Sequence, residues 1–204
     1  MSQGLSRQLD SDRHADDALL NVPLFHTLVE RLDDDERHVI LDLGPPQSGT
    51  VALFSRFRCR LEIADLAADL PAMQAASDAP SSRAVFAAML PPAQQEPADV
   101  ILCWDLLNYL DRPEMTALMA ELARRGKPGT LVHALVVYSA RTMPVQPNRY
   151  APVDDHSLRL IANGRETQPA PRYSPEDLGL CTPGFKLERA MLLRNGMQEF
   201  LFRL

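Results

Sequence analysis

The sequence predicts an α/β protein: an open, largely parallel sheet that closes with an antiparallel hairpin, with helices on both faces. Three observations carry that expectation. The near-continuous apolar run His38-Val39-Ile40-Leu41-Asp42-Leu43 reads as a strand covered on both sides, and the turn Gly44-Pro45-Pro46-Gln47-Ser48-Gly49 then opens a helix. A second such run, Val100-Ile101-Leu102-Cys103-Trp104, reads as a central strand. Near the end, Asn195-Gly196 separates two apolar-rich segments, and Asn-Gly tolerates the positive φ of a two-residue hairpin turn.

Composition bounds the class. The 204 residues suffice for one domain with a sizeable core. No apolar run reaches the length that spans a bilayer. The stretch Met1-Ser2-Gln3-Gly4-Leu5-Ser6-Arg7 is polar and leads into acidic residues, so no secretory signal is read and a cytoplasmic location is expected. Cys59, Cys103 and Cys181 are scattered, and they read as small core residues rather than a metal or disulfide framework. A net charge of -6 and a pI near 5.3 disfavour a nucleic-acid partner. The strip Arg56, Arg58, Arg60 is accounted for equally by a solvated helix end.

Taken in order, residues up to about Arg13 read as a loose tail. Asn21 as cap and Pro23 in the first turn open a helix whose apolar face is Leu24, Phe25, Leu28, Val29 and Leu32. After the first strand, residues 50–57 read as a helix with Val51, Phe54 and Phe57 inward. Residues 59–64 form the second strand, with Asp65 at its end. Residues 67–76 suit a helix, and residues 83–90 suit a short third strand or a further helical turn. Asp111-Arg112-Pro113-Glu114 is a capping box that opens a helix packed through Met115, Leu118, Met119 and Leu122. Gly126 stops it, and residues 131–138 form the next strand, in which His133 reads as a packed histidine.

Residues 139–172 read as an insertion with its own β-hairpin at Asn163-Gly164, placed above the carboxyl end of the preceding strand. Asp154, Asp155 and His156 lie in it as a weak acid–base candidate. Ser174-Pro175-Glu176-Asp177 caps a short helix, and the Asn195-Gly196 hairpin ends the fold with Phe200, Phe202 and Leu204 on one face. The expected division is a tail and helix over residues 1–37 and one domain over residues 38–204.

The strand, the Asp42-x-Gly44 turn, the helix and the terminal hairpin together resemble the class I S-adenosylmethionine (SAM) dependent methyltransferases. Their first motif reads acidic-x-Gly-x-Gly-x-Gly. Asp42 and Gly44 match it, Pro46 and Ser48 stand at the next two glycine positions, and Gly49 comes one residue late. The resemblance covers about residues 39–204. It implies a Rossmann-like, seven-stranded mixed sheet, with SAM as cofactor and Asp42, Gly44, Pro45, Ser48, Asp65 and Asp105 around it. The family's acidic residue after the second strand accepts from the ribose hydroxyls. Asp65 stands there, and capping of the next helix is the equal alternative. Asp105, Asn108 and Tyr109, just after the fourth strand, are the polar candidates lining the cleft. The adenine-contacting acidic residue of the family has no counterpart, and the Asn/Asp-Pro-Pro-aromatic motif of nucleic-acid methyltransferases is absent.

Two functions follow. One is methyl transfer to a small molecule or protein acceptor, in which alignment of the nucleophile with the methyl group supplies the catalysis and Asp105, Tyr109 or His156 orients the acceptor. The other is a non-catalytic relative that kept the fold as a binding or regulatory subunit. Pro46 removes an N–H and stiffens the loop, which favours the second. A nicotinamide oxidoreductase is disfavoured, because a pyrophosphate needs the glycine fingerprint more strictly.

Overall fold

The computed structural model describes residues 18–75, 82–92 and 96–204. The tail expected up to about Arg13 lies outside them. The chain begins with β1 (Ala18–Asn21), α1 (Pro23–Val29), β2 (His38–Asp42), α2 (Ser48–Phe54), β3 (Cys59–Ile63), α3 (Leu66–Ala75) and α4 (Ser82–Met89). There follow β4 (Ala98–Trp104), a 3₁₀ turn (Leu106–Tyr109), α5 (Arg112–Arg125), β5 (Gly126–Val137), β6 (Thr142–Pro144) and β7 (Arg149–Pro152). The rest is β8 (Ser157–Ile161), β9 (Thr167–Pro169), α6 (Pro175–Cys181), β10 (Lys186–Leu192) and β11 (Met197–Arg203).

The main sheet has the order β10-β11-β5-β4-β2-β3. β3, β2, β4 and β5 are mutually parallel, β11 runs antiparallel to β5, and β10 antiparallel to β11. The strands carrying Val39 and Val100, expected to be adjacent at the centre, are adjacent, but β2 lies next to the edge strand. The strand count is six, not seven, among the described residues. The segment weighed as a third strand is α4, whose Arg83-Ala84-Val85-Phe86-Ala87-Ala88-Met89 is rich in good helix formers. Its Phe86 is buried, and Arg125 reaches back from α5 to the Ala87 and Pro91 carbonyls. β3 is therefore the sheet edge. Its five residues are all half-buried, whereas all five of β2 are buried.

Strand alternation divides the core into two layers. Ile101 and Cys103 of β4 face the layer with Met115, Leu118, Met119 and Leu122 of α5, all four fully buried. Val100, Leu102 and Trp104 face the layer with Leu24, Phe25, Leu28 and Phe54. The Asp111–Glu114 capping box forms at 2.8 and 2.9 Å. The expected face of the first helix is rotated: α2 buries Thr50, Leu53 and Phe54, and Val51 is exposed. The helix begins two residues earlier than its apolar pattern suggests, and it stops before Phe57.

The start of α1 differs from the expected Asn21 cap. Asn21 belongs to β1, and the capping position is Val22, which offers no side-chain acceptor. The Leu24 and Phe25 N–H groups instead donate to Glu199 Oε2 (2.9 Å) and Oε1 (2.7 Å) of β11. A carboxylate aimed at a helix N-terminus satisfies its free donors and complements the dipole. Glu199 also accepts from His133 Nε2 at 2.8 Å, and both side chains are fully buried, so His133 is the packed histidine that was expected.

The insertion departs from the expected hairpin. β8 pairs with β7 through the turn before Ser157, and β1 adds to its other side to make the sheet β1-β8-β7. β9 pairs with β6. Asn163-Gly164 therefore joins strands of two different sheets. Its turn chemistry holds, with Gly164 at φ +97°, but buried Tyr150 and Leu158 decide the pairing partner of β8. At the C-terminus Gly196 takes φ +82° and the expected hairpin forms between β10 and β11.

Candidate functional site

In an open parallel sheet the ligand crevice lies beyond the carboxyl ends of the strands where the strand order reverses. Here that switch point falls between β2 and β4. β2 ends in Asp42 and β4 in Trp104, so the sequence delivers a carboxylate and an indole to the same place.

Asp42 Oδ1 accepts from the Gly44 N–H (2.9 Å) and from Trp104 Nε1 (2.6 Å). Burial pushes its carboxyl up to about 6, against these hydrogen bonds, which pull it down. Trp104 is the one non-glycine residue with positive φ (49°) among the described residues. A left-handed backbone costs an L-residue about 1–2 kcal/mol, and side-chain contacts must hold it. Those contacts are the Asp42 hydrogen bond, a stack on Tyr150 (centroids 5.8 Å apart, planes at 10°) and the Phe25 ring at 5.9 Å.

The motif glycines serve this packing. A Cβ on Gly44 would lie 2.6 Å from Trp104 Cδ1, so only glycine lets the indole press on the turn. A Cβ on Gly49 would collide with the Pro152 carbonyl, so that glycine admits β7 over the start of α2. In this arrangement the space that a ligand would use to approach Gly44 holds the indole, and Tyr150 lies against the indole. The side chains present do not fit SAM there unless this stack moves.

Asp105, next along the chain, is buried. Its Oδ2 accepts from the Asn148 N–H, the Asn148 Nδ2 and the Tyr150 hydroxyl, each at 3.1 Å. Burial pushes its carboxyl up to about 7, these three donors opposing, and pushes the Tyr150 hydroxyl well above its ordinary range. Asn108 ties the crevice floor together: its Nδ2 donates to the Asp105 and Leu135 carbonyls and its Oδ1 accepts from the Val137 N–H. Tyr109 reaches the Gln146 and Pro144 carbonyls at 2.9 and 3.1 Å, anchoring the insertion.

The other sequence candidates are more dispersed. Asp65 is half-buried and accepts from the Ala68 N–H at 3.2 Å, the helix-capping geometry. Pro45 is half-buried, Pro46 is exposed, and Ser48 is exposed in the first turn of α2. His156 stands on the exposed turn between β7 and β8. There Asp155 lies 2.8 Å from its Nδ1 and raises its pKa. It neighbours His26, not Asp105.

Trp104, Asn148, Tyr150 and Glu199 were not singled out from sequence. Trp104 could have been, as the chain's single tryptophan beside Asp105 at a strand end. Asn148 and Tyr150 carry no local signal, because their role arises from the fold-back of the insertion.

The fold, a parallel sheet that ends in an antiparallel hairpin, is one that a solved SAM-dependent methyltransferase shares. No family model matches the chain, and no curated protein does. Solved structures do. A SAM-dependent methyltransferase from Clostridium acetobutylicum matches at TM-score 0.50 and 12% identity, over 98% of each chain. The PH0226 protein from Pyrococcus horikoshii matches at TM-score 0.51 and 11% identity, over 99% of this chain and 92% of that one. The glycopeptide N-methyltransferase MtfA, solved with SAM, matches at TM-score 0.46 and 12% identity over 89% and 92%. No helix among the described residues is long and apolar enough to cross a membrane.

Proposed function

We propose that this chain is a methyltransferase-fold protein whose cofactor crevice is filled by its own side chains, and that it works as a binding or regulatory subunit. The observation that carries this is the Trp104–Tyr150 stack. A strained, buried indole hydrogen-bonds Asp42, fills the Gly44 gap and is locked in place by a strand of the insertion. Pro46 at a family glycine position supports the same reading, since it removes a backbone donor.

A second reading keeps the activity: SAM-dependent methyl transfer to a small molecule or protein acceptor. It is favoured by Asp42, Gly44, Asp65 and Asp105, which occupy the strand ends that the family uses. It requires the stack to swing out, and the chain's own residues would then only orient the acceptor. Calorimetric titration with SAM and with its demethylated product separates the two. The first reading expects no heat of binding with the native chain. Saturable binding of both compounds by the native chain would overturn it, while binding only by Trp104→Ala would identify the indole as the obstruction.

A further inference from the structure

The turn between β7 and β8 carries Asp154, Asp155 and His156 in succession. The Val153 N–H donates to the Ser157 carbonyl at 2.9 Å and closes the turn, so the three side chains crowd one end of the hairpin. An oxygen of each carboxylate and a nitrogen of His156 lie within 4.8 Å of one another. His156 Nδ1 faces Asp155 Oδ1 at 2.8 Å and Asp154 Oδ1 at 3.4 Å. One imidazole N–H satisfies only one of those oxygens.

α1 brings a fourth group from a separate element. The Val22 N–H donates to the His156 carbonyl at 2.9 Å, which fixes the turn against the start of α1, and His26 stands one helical turn beyond Val22. Its ring meets that of His156 edge-on, with centroids 5.9 Å apart and planes at 78°. His26 Nε2 lies 3.3 Å from Glu30 Oε1, the kind of carboxylate that orients a metal-binding histidine through its other nitrogen. His26 Nδ1 has no hydrogen-bond partner and lies 3.6 Å from Asp155 Oδ2.

That gap is too long for a hydrogen bond and too short for a bridging water, which holds its two partners about 4.5 Å apart. It does match two ligands of one metal ion. Bonds of about 2.0–2.1 Å at tetrahedral angles set neighbouring ligand atoms about 3.3 Å apart, so the ion fits where water does not. The four side chains are 34–52% exposed, so an ion reaches them from solvent and they turn to close on it.

We propose that His26 Nδ1, His156 Nδ1, Asp154 and Asp155 bind a first-row transition dication of the zinc class. Two imidazoles select such an ion over Mg²⁺ and Ca²⁺, which take oxygen ligands, and two carboxylates balance its charge. The ion pins the hairpin that carries Tyr150 to α1. The site involves neither Asp42 nor Asp105, so it stands whichever way the SAM titration falls.

The test uses the full chain without an affinity tag, titrated with ZnCl₂ by calorimetry and followed by thermal shift, with MgCl₂ and CaCl₂ as comparisons. Saturable binding of one Zn²⁺ per chain and a raised Tm are expected, with Mg²⁺ and Ca²⁺ at least about tenfold weaker. His156→Gln and His26→Gln should each weaken Zn²⁺ binding at least about tenfold. Binding should also weaken as pH falls through about 6.5, because the ligating imidazoles must be neutral. No saturable Zn²⁺ binding, equal affinity for Mg²⁺, or unchanged affinity in either folded histidine variant overturns the proposal. Should His26→Gln fail to fold, His156→Gln decides alone, its ring being the most exposed of the four side chains.

Discussion

Replacing Glu199 with Gln should uncouple α1 from the sheet while leaving the volume of the side chain unchanged. In the native chain Oε1 accepts from Phe25 N–H and His133 Nε2, and Oε2 accepts from Leu24 N–H. Glutamine retains one acceptor oxygen and presents an NH₂ group to a backbone donor. One hydrogen bond is lost, the Leu24 N–H is stranded in the core, and the other two bonds lose their charge assistance. A lost bond to a charged group is worth about 1.5–3 kcal/mol, and a stranded buried donor adds about 1–3 kcal/mol. Together these give an expected destabilisation of about 3–5 kcal/mol. With a urea m-value of about 2 kcal/mol/M, the midpoint should fall by about 2 M. Urea unfolding gives the total. Amide exchange at Leu24 and Phe25 localises it, because those two protons should exchange faster than the amides of β4. A loss under about 1 kcal/mol, or unchanged protection at Leu24 and Phe25, would refute the idea that Glu199 caps α1.

Three further outcomes are expected. Leu118→Ala, at a fully buried position in α5, should cost about 2–5 kcal/mol in chemical denaturation, and a midpoint close to native would contradict the packing. Gly49→Ala drives a methyl into the Pro152 carbonyl. It should cost about 1–3 kcal/mol and disturb β7, visible as a changed emission of Trp104 through its Tyr150 stack. Asp42 and Asp105 bind protons more tightly in the folded chain, near pH 6 and 7, than at their ordinary value of 3.8. Their contribution is therefore fully present below about pH 4 and is lost as pH rises through about 6–7. Urea unfolding across pH 4–8 should show a decline that Asp105→Asn makes shallower, and an unchanged slope would show that Asp105 titrates normally when folded.

Much of the fold was legible because it is written in local chemistry. The β2 and β4 runs are nearly continuous in apolar residues, so they read as strands covered on both faces. The Asp111–Glu114 box and the Ser174–Asp177 box each close within four residues. Gly196 needs only its own positive φ to turn β10 back on β11. Asp42, Gly44 and Asp105 were placed at strand ends by the same reasoning. What the tertiary structure decided were the partners of groups that have no local partner. β8 could pair on either side, and burial of Tyr150 and Leu158 chose β7 and β1 over β9. The N-terminus of α1 had no capping side chain of its own, so a carboxylate 175 positions from Leu24 supplied it. The turn after β2 kept glycines that a ligand could use. Whether a ligand or the protein fills that gap depends on where an indole on the neighbouring strand is aimed, and a left-handed backbone at Trp104, held by Asp42 and Tyr150, aims it into the crevice. Periodicity and motif spacing record each residue's own preference. They do not record which distant side chain arrives to satisfy it, and in this protein that arrival decides what the crevice can hold.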